Sequence, residues 1–506
     1  MNMKIFELLI DKKIIYLIIG FITAIFSISK FNFPIFIFIW PYCFLTYLHQ
    51  VESKIIPLIL VSICILFSNM IRWIGSADMG ALGNFLFGGY YGIVNMIPFI
   101  IDGILYNRIE KWASIFIFPL LVAFIEFVFA FCPIANNNCY AYALRDNIQF
   151  IQITSLFGTH FISFIIALFA SILDYSLQLY KSKKELSKFI YCYAAIILFI
   201  FIFGYIRLLI PEDGEKNSIV AALGSSPCLY VKGEESVLPI DDYMDYINKT
   251  IIRANQLEAN LIIYSEEAFA TNKDEKYEII SRTEKLAKEN NIFVVLSLDV
   301  EYDGVNSNKN EAILISNKGS AIYNYQKQHL IPLMEDDYFE DLTDIKLQYT
   351  DLGKLAIAIC YDIAFPDYIN MLSRDDLDLL LVPSWDWEAI TEFHSVNSRF
   401  RAIENGINII KSTANGIVLS TDYKGRFLSY YKPTECEDYF VVSNINKKGV
   451  RTLFSYIGIV FNYFYLLATI ILVIVGFIMK IKNEKNDIES KNSENLIGLN
   501  EVNVET

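Results

Sequence analysis

Long apolar blocks fill most of the first two-fifths of the chain, a charged stretch follows, and a single apolar block closes the pattern. Residues 14 to 210 are almost continuously hydrophobic, residues 212 to 450 are polar, and residues 454 to 479 are apolar again. A hydrocarbon core about 30 Å thick requires roughly 20 apolar residues in one helix. Eight stretches meet that requirement within a few residues: Ile14–Ser29, Pro34–Leu48, Ile55–Ile74, Leu82–Tyr106, Ala113–Cys132, Ile151–Leu173, Phe189–Ile210 and Phe454–Met479. The first two are short, and a hairpin that does not fully cross fits them equally. The pattern predicts transmembrane helices 1 to 7 over residues 1–211, a polar domain over 212–450, a C-terminal transmembrane helix over 451–482 and a tail over 483–506. The tail is polar and rich in Asn and Glu, and is predicted to be disordered.

Within 212–450 the periodicity changes. Short β-branched or aliphatic runs alternate with helical patterns, as layered α/β domains require. Strands are predicted at Ser218–Leu223, Leu261–Tyr264, Ile292–Leu298, Glu311–Ser316, Ser320–Tyr325, Leu355–Ile359, Leu379–Val382, Asn408–Ser412, Ile417–Thr421 and Tyr439–Ser443. Met244, Ile247, Ile251, Ala254 and Leu257 recur at helical spacing and mark one buried face. Asn317–Gly319 and Lys424–Gly425 carry turn chemistry between paired strands.

Composition sharpens this reading. The chain of 506 residues is 54% hydrophobic, 15% aromatic and only 19% charged, which points to a membrane. Its net charge of −14 lacks the basic field that nucleic acid needs. Eight cysteines and four histidines show no ligand spacing, so no metal or other cofactor is expected. Only Cys132 and Cys139, in one short loop, are placed to pair. Thirteen Lys and Arg residues flank the apolar blocks on one side; Lys30, Arg72, Arg145 and Arg207 are the four on the other. Positive charge stays in the cytoplasm, so both termini are expected there and the polar domain outside.

Reactive residues gather at the carboxyl ends of three predicted strands, where open α/β sheets place their sites. They lie in Tyr264-Ser265-Glu266-Glu267, in Lys327-Gln328-His329-Leu330-Ile331-Pro332 and in Cys360-Tyr361-Asp362. Acyl transfer through a thioester needs a nucleophile, a base for its proton and a cation near the oxyanion. Cys360, Glu266 and Lys327 are of the right types. A thiol that begins a helix also gains acidity from the helix N-terminus. Each residue alone has a plainer reading: a small core cysteine, or a solvated charge.

The order of the three segments resembles the nitrilase (carbon-nitrogen hydrolase) superfamily. With membrane helices on both sides, the chain is similar to the apolipoprotein N-acyltransferase family. The resemblance implies Glu266 as base, in preference to Glu267, with Lys327 as the lysine and Cys360 as the nucleophile. Glu335, Tyr361 and Asp362 fall on supporting positions. Arg401–Gly406 and Ser412–Gly416 match the superfamily's closing helix and strand. The chain departs from the pattern at Tyr264-Ser265, at Met334, at Asp362 and at Ser384-Trp385-Asp386-Trp387-Glu388.

The implied fold is an α-helical transmembrane bundle of about eight helices plus a nitrilase-like αββα sandwich. The implied protein is a multi-pass enzyme of the cell membrane, acting as a monomer without a cofactor. It would pass an acyl group from a phospholipid donor to a lipoprotein whose N-terminal cysteine carries diacylglyceryl. Trp385 and Trp387 are expected to bind substrate or sit at the membrane interface, or else to pack in the core. A membrane-tethered amidase, or an N-acyltransferase with another amine acceptor, is the alternative. A transporter or scaffold carrying a degenerate domain would need polar residues facing one another inside the bundle, where Glu126 and Asn95 are the main ones the spans offer.

Overall fold

The computed structural model describes residues 13–51, 55–75, 80–106, 109, 111–135, 137–178, 183–211, 218–225, 238–302, 308–332, 334–336, 338, 346–386, 390–432 and 439–502. Among the described residues, six helices are long and apolar enough to cross a membrane: Ile55–Trp73, Gly80–Leu105, Trp112–Phe129, Thr159–Ser176, Lys188–Leu209 and Val460–Met479. Helix is the natural outcome of such blocks, because lipid offers no partner to a free backbone group. Protein buries only 11% of the Lys188–Leu209 window, so this helix turns an apolar surface outward.

The first two apolar blocks give the shorter helices Ile14–Ile25 and Phe36–Gln50. At 1.5 Å per residue these reach about 18 and 22 Å, less than the roughly 30 Å of a hydrocarbon core. They pack as a pair, with Gly20 against the Phe44 ring so tightly that a Cβ there would lie 2.5 Å from it. The block expected at Ile151–Leu173 is broken. Two single turns, Ile148–Ile151 and Thr154–Phe157, precede Gly158, whose φ of +77° ends them, and the long helix begins at Thr159. The last helix runs from Leu453 to Val502, through the stretch read from composition as disordered. Glu, Lys and Leu favour helix, and no proline interrupts them.

Thirteen strands occur among the described residues. They are β1 (Ser218–Ser225), β2 (Leu261–Tyr264), β3 (Phe269–Asn272), β4 (Phe293–Glu301), β5 (Lys309–Ile315), β6 (Ala321–Gln326) and β7 (Gln348–Thr350). The remainder are β8 (Gly353–Ile357), β9 (Leu379–Trp385), β10 (Asn408–Ala414), β11 (Val418–Thr421), β12 (Phe427–Tyr431) and β13 (Tyr439–Asn446). One sheet has the order β13-β1-β2-β4-β5-β6, with β3 beside β4; the other has the order β12-β11-β10-β9-β8-β7. β3, β7 and β12 were not expected from the sequence, being three to five residues long with little apolar pattern.

Alternation along each strand builds four layers. Leu261, Ile263, Val295 and Leu314 of the first sheet meet Leu355, Ile357, Leu379, Leu381 and Ile410 of the second in one core. The opposite face of the first sheet, through Ile262, Val294 and Leu296, receives Ile247 and Ile251 of helix Ile240–Gln256 and Ile279 of helix Lys273–Asn290. Ala356, Leu380 and Ile409 of the second sheet receive Ile369 of helix Pro366–Ser373 and Ala402 of helix Thr391–Asn405. This is the αββα sandwich.

The sandwich is hydrogen-bonded to the helical bundle. Gln152 Nε2 donates to the Lys424 carbonyl at 2.8 Å, Thr159 N donates to Glu404 Oε1 at 2.7 Å, and Arg399 Nη1 donates to the Arg145 carbonyl at 2.8 Å. Charges in the helical part serve this framework. Buried Arg72 donates to Asn138 Oδ1 at 3.0 Å, and Arg207 donates to Gln152 Oε1 and to the Tyr423 carbonyl. Asp102 and Asp174 flank His49, at 2.7 Å from Nε2 and 2.6 Å from Nδ1. Burying charge is tolerated when it is paired in this way. The bundle is also more polar inside than the sequence indicated, since Asn69 Oδ1 accepts from both Asn95 and Asn138. Cys132 and Cys139 are free thiols, and Cys139 donates to Glu126 Oε2 at 3.0 Å.

Candidate active site

The first sheet carries both Glu266, after β2, and Lys327, after β6, and the two side chains meet beyond its strand ends. Lys327 Nζ lies 2.7 Å from Glu266 Oε1 and 2.6 Å from Glu335 Oε1. Lys327 is 1% exposed and Glu266 4%, so the pair has almost no water around it. Oxygens of Glu266, Glu267 and Glu335 lie within 4.8 Å of one another. Such a cluster demands a cation, and the Lys327 ammonium supplies it.

Each carboxylate is fixed by further donors. Asn310 Nδ2, on β5, reaches Glu266 Oε1 at 2.8 Å and Glu267 Oε1 at 2.9 Å. The backbone N–H of Trp385 donates to Glu266 Oε2 at 2.7 Å, and that of Ile331 donates to Glu335 Oε2 at 2.6 Å. An ionised carboxylate has about four acceptor positions. Three on Glu266 are taken, which leaves Oε2 one lone pair for a proton.

Cys360 ends the run that begins in β8 and opens the 3₁₀ turn Cys360–Ala364, with φ of +44°. A side chain in this left-handed region is strained by about 1–2 kcal/mol, and the strain is held by burial on every side. Its Sγ lies 3.7 Å from the Trp385 carbonyl, and the residue is 3% exposed. Burial and the neighbouring Glu266 push the thiol well above its ordinary value, against the pull of Lys327. The sequence suggested an acidic thiol at a helix start. One 3₁₀ turn carries too little dipole to offset desolvation.

Other groups respond to the same field. Burial by itself would lower Lys327, but Glu266 and Glu335 raise it well above the usual lysine value. Burial, followed by the charge of Glu266, raises Glu267 far above a normal carboxylic acid. Glu335 is raised by burial and by Glu266, with Lys327 opposing.

Tyr361 and Asp362 follow Cys360 in the same turn. Asp362 is fully buried: Oδ2 accepts from the Tyr325 hydroxyl at 2.6 Å and the Ile359 N–H at 2.8 Å, and Oδ1 accepts from the His329 N–H at 2.9 Å. The His329 ring, 2.8 Å from the same Oδ1, stacks on Phe365 at 3.8 Å and ties the lysine loop to the cysteine turn. The Tyr361 hydroxyl donates to the Pro133 carbonyl of the helical part at 3.2 Å. Trp385 contributes its backbone to the site while its ring is half-buried; Trp387 lies outside the described residues.

Sequence reading passed over four participants. Asn310 sat in an unremarked polar strand start. Asp386, His394 and Lys411 form a buried ionic group: His394 Nδ1 is 2.7 Å from Asp386 Oδ1, and Lys411 Nζ pairs with Asp386 Oδ2. A lysine in the middle of the apolar run Asn408–Ser412 was the available signal, because unpaired lysines are rarely buried.

The comparisons agree with this architecture. Residues 240–437 match the carbon-nitrogen hydrolase family. The α/β part therefore matches a carbon-nitrogen hydrolase domain, and the chain as a whole is similar to apolipoprotein N-acyltransferases. An apolipoprotein N-acyltransferase 2 of Treponema denticola is 25% identical over 391 residues, covering 67% of this chain and 73% of that protein. A deaminated glutathione amidase of Dictyostelium discoideum is 32% identical over 158 residues, covering 28% of this chain and 54% of the amidase. The chain spans about half the length of several curated relatives, with 44% and 39% for two Vibrio apolipoprotein N-acyltransferases. An amidase structure from Nesterenkonia superimposes with a TM-score of 0.41 at 19% identity, covering 47% of this chain and 94% of that one.

Proposed function

We propose that the protein is a membrane N-acyltransferase in which Cys360, Glu266 and Lys327 carry an acyl group from a phospholipid to an amine. The observation that carries this reading is the buried Lys327–Glu266 pair, 2.7 Å apart and close enough to act on the Cys360 thiol, on a domain hydrogen-bonded to the apolar helical part.

The chemistry follows from the charges. The thiol rests protonated, because burial disfavours the thiolate. Glu266 takes its proton through the free lone pair on Oε2, and Sγ attacks the ester carbonyl of the lipid. Lys327, kept charged by two carboxylates, stabilises the oxyanion together with a backbone N–H near Cys360. Glu266 returns the proton to the departing alkoxide, and a lysophospholipid leaves. An amine then attacks the thioester. The similarity to apolipoprotein N-acyltransferases favours the N-terminal amine of an S-diacylglyceryl-cysteine lipoprotein as acceptor.

The excess of Lys and Arg on one side of the spans favours an extracytoplasmic sandwich with both chain ends in the cytoplasm. The count of spans before the sandwich is odd whether or not the first hairpin crosses. A membrane-impermeant maleimide reacting from outside with a cysteine placed at Tyr349, which is 74% exposed, tests this placement.

Incubation of the protein with phospholipid labelled in its acyl chain tests the chemistry. A hydroxylamine-labile label on wild type, absent from Cys360→Ala, supports the thioester; a label retained by Cys360→Ala rejects it. The 32% identity to an amidase favours a second reading, in which water takes the acyl group. Release of free fatty acid unaffected by an added lipoprotein amine distinguishes it.

A further inference from the structure

A second set of buried charges touches the nucleophile, and the reaction above gives it no task. Cys360 Sγ, a carboxylate oxygen of Asp386 and a ring nitrogen of His394 all lie within 4.8 Å of one another. Asp386 is 1% exposed and His394 4%. Asp386 is immobilised. Its N–H donates to the Ala414 carbonyl at 3.2 Å, its Oδ2 holds the buried Lys411 ammonium, and Gly416 packs so closely that a Cβ there would stand 2.6 Å from Oδ2.

His394 Nδ1 faces Asp386 Oδ1 at 2.7 Å. A carboxylate on Nδ1 fixes the proton there and leaves Nε2 as the acceptor. Nε2 of His394 is buried and has no hydrogen-bond partner. A buried acceptor left without a donor costs about 1–3 kcal/mol. Lys411 already neutralises Asp386, so the carboxylate stays ionised although burial opposes it.

Thioester aminolysis creates such a donor, because the attacking nitrogen must shed a proton as its bond to carbon forms. Resting on the acyl-transfer reading, we propose that His394 is the proton acceptor of the second half-reaction. The N–C bond forms, the C–Sγ bond breaks, and Sγ departs with the electron pair. The surplus nitrogen proton passes to His394 Nε2 and then to Sγ, which restores a neutral imidazole and a thiol. No further reactant is required. Cys360 faces Glu266, Lys327, Asp386 and Lys411; the charged group bonded to His394 is Asp386, with Lys411 behind it.

The two half-reactions can be timed separately on the full-length protein in phosphatidylethanolamine vesicles. Labelled lipid loads Cys360; a synthetic peptide with an N-terminal S-diacylglyceryl-cysteine then chases the label. His394→Gln keeps an N–H for Asp386 and cannot take a proton, and His394→Asn serves if the first variant does not load. Loading is expected to stay within about two-fold of wild type while the chase slows on the order of 10²-fold, the usual size of one proton-transfer group. A structural role slows both phases alike or neither, and either result overturns the proposal. A wild type that takes no label removes the acyl-transfer reading and this inference with it. A labelled wild type whose His394 variants chase normally removes only the assignment of His394.

Discussion

The Trp385 backbone holds Glu266: its N–H donates to Oε2 at 2.7 Å, and the carbonyl of the same residue faces Cys360 Sγ at 3.7 Å. The backbone of one residue therefore spaces the candidate base from the candidate nucleophile. The side chain of the next residue, Asp386, is held by the buried Lys411.

Removing the central cation exposes its cost. Lys327→Met leaves Glu266 and Glu335 facing each other in a buried site, and is expected to destabilise the fold by about 3–5 kcal/mol, as for other broken buried pairs. Thermal unfolding in detergent measures it. Lys327→Arg is not expected to restore labelling of Cys360, because a planar guanidinium does not fit a point-charge position. Full labelling of Lys327→Met would remove the lysine from the chemistry.

Alkali weakens this domain. Cys360 and Lys327 both bind protons more tightly folded than unfolded. Stability from such raised groups is complete below their unfolded values, near 9.0 and 10.5, and is lost as pH rises through the folded ones. The unfolding temperature is expected to fall steadily above about pH 9. Iodoacetamide should label Cys360 slowly at neutral pH and faster above that range. A flat profile in both measurements contradicts the burial argument.

Gly204 is a point of backbone contact between helix Lys183–Leu209 and the turn Ile148–Ile151. A Cβ there would fall 1.8 Å from the Gln149 carbonyl oxygen. Gly204→Ala is expected to push the helix away at a cost of about 1–3 kcal/mol. Faster proteolysis in detergent reports the loosening; unaltered proteolysis means that the contact is not needed.

Glu126 serves hydrogen bonding within its span. Oε1 accepts from the Tyr140 N–H at 2.8 Å and Oε2 from the Cys139 thiol at 3.0 Å. Glu126→Leu orphans a buried backbone donor and should cost about 1–3 kcal/mol, whereas Glu126→Gln should cost less, since its amide oxygen still accepts. Equal stability of the two variants would show that charge, rather than acceptance, is what the site uses.

Local pattern was enough for the apolar helices and most strands, because twenty apolar residues in succession and two-residue alternation are properties of the chain itself. The residues Glu266, Lys327 and Cys360 could be picked out too, each at a strand end. Pattern failed where a neighbour decided the outcome. Gly158 breaks a run that reads as one helix, and Arg72 and Arg207 find protein acceptors that are distant in sequence. Lys411 reads as an odd lysine in an apolar strand until Asp386 is placed opposite.

The sequence by itself determined the division into membrane helices and an α/β sandwich, together with the types of reactive group available. Only the tertiary structure decided which groups meet and in what protonation state. Glu266 and Lys327 are 61 positions apart along the chain, yet 2.7 Å apart in space. The thiol's acidity depends on water that folding removes, and desolvation and Coulomb energy belong to distances that no local spacing encodes.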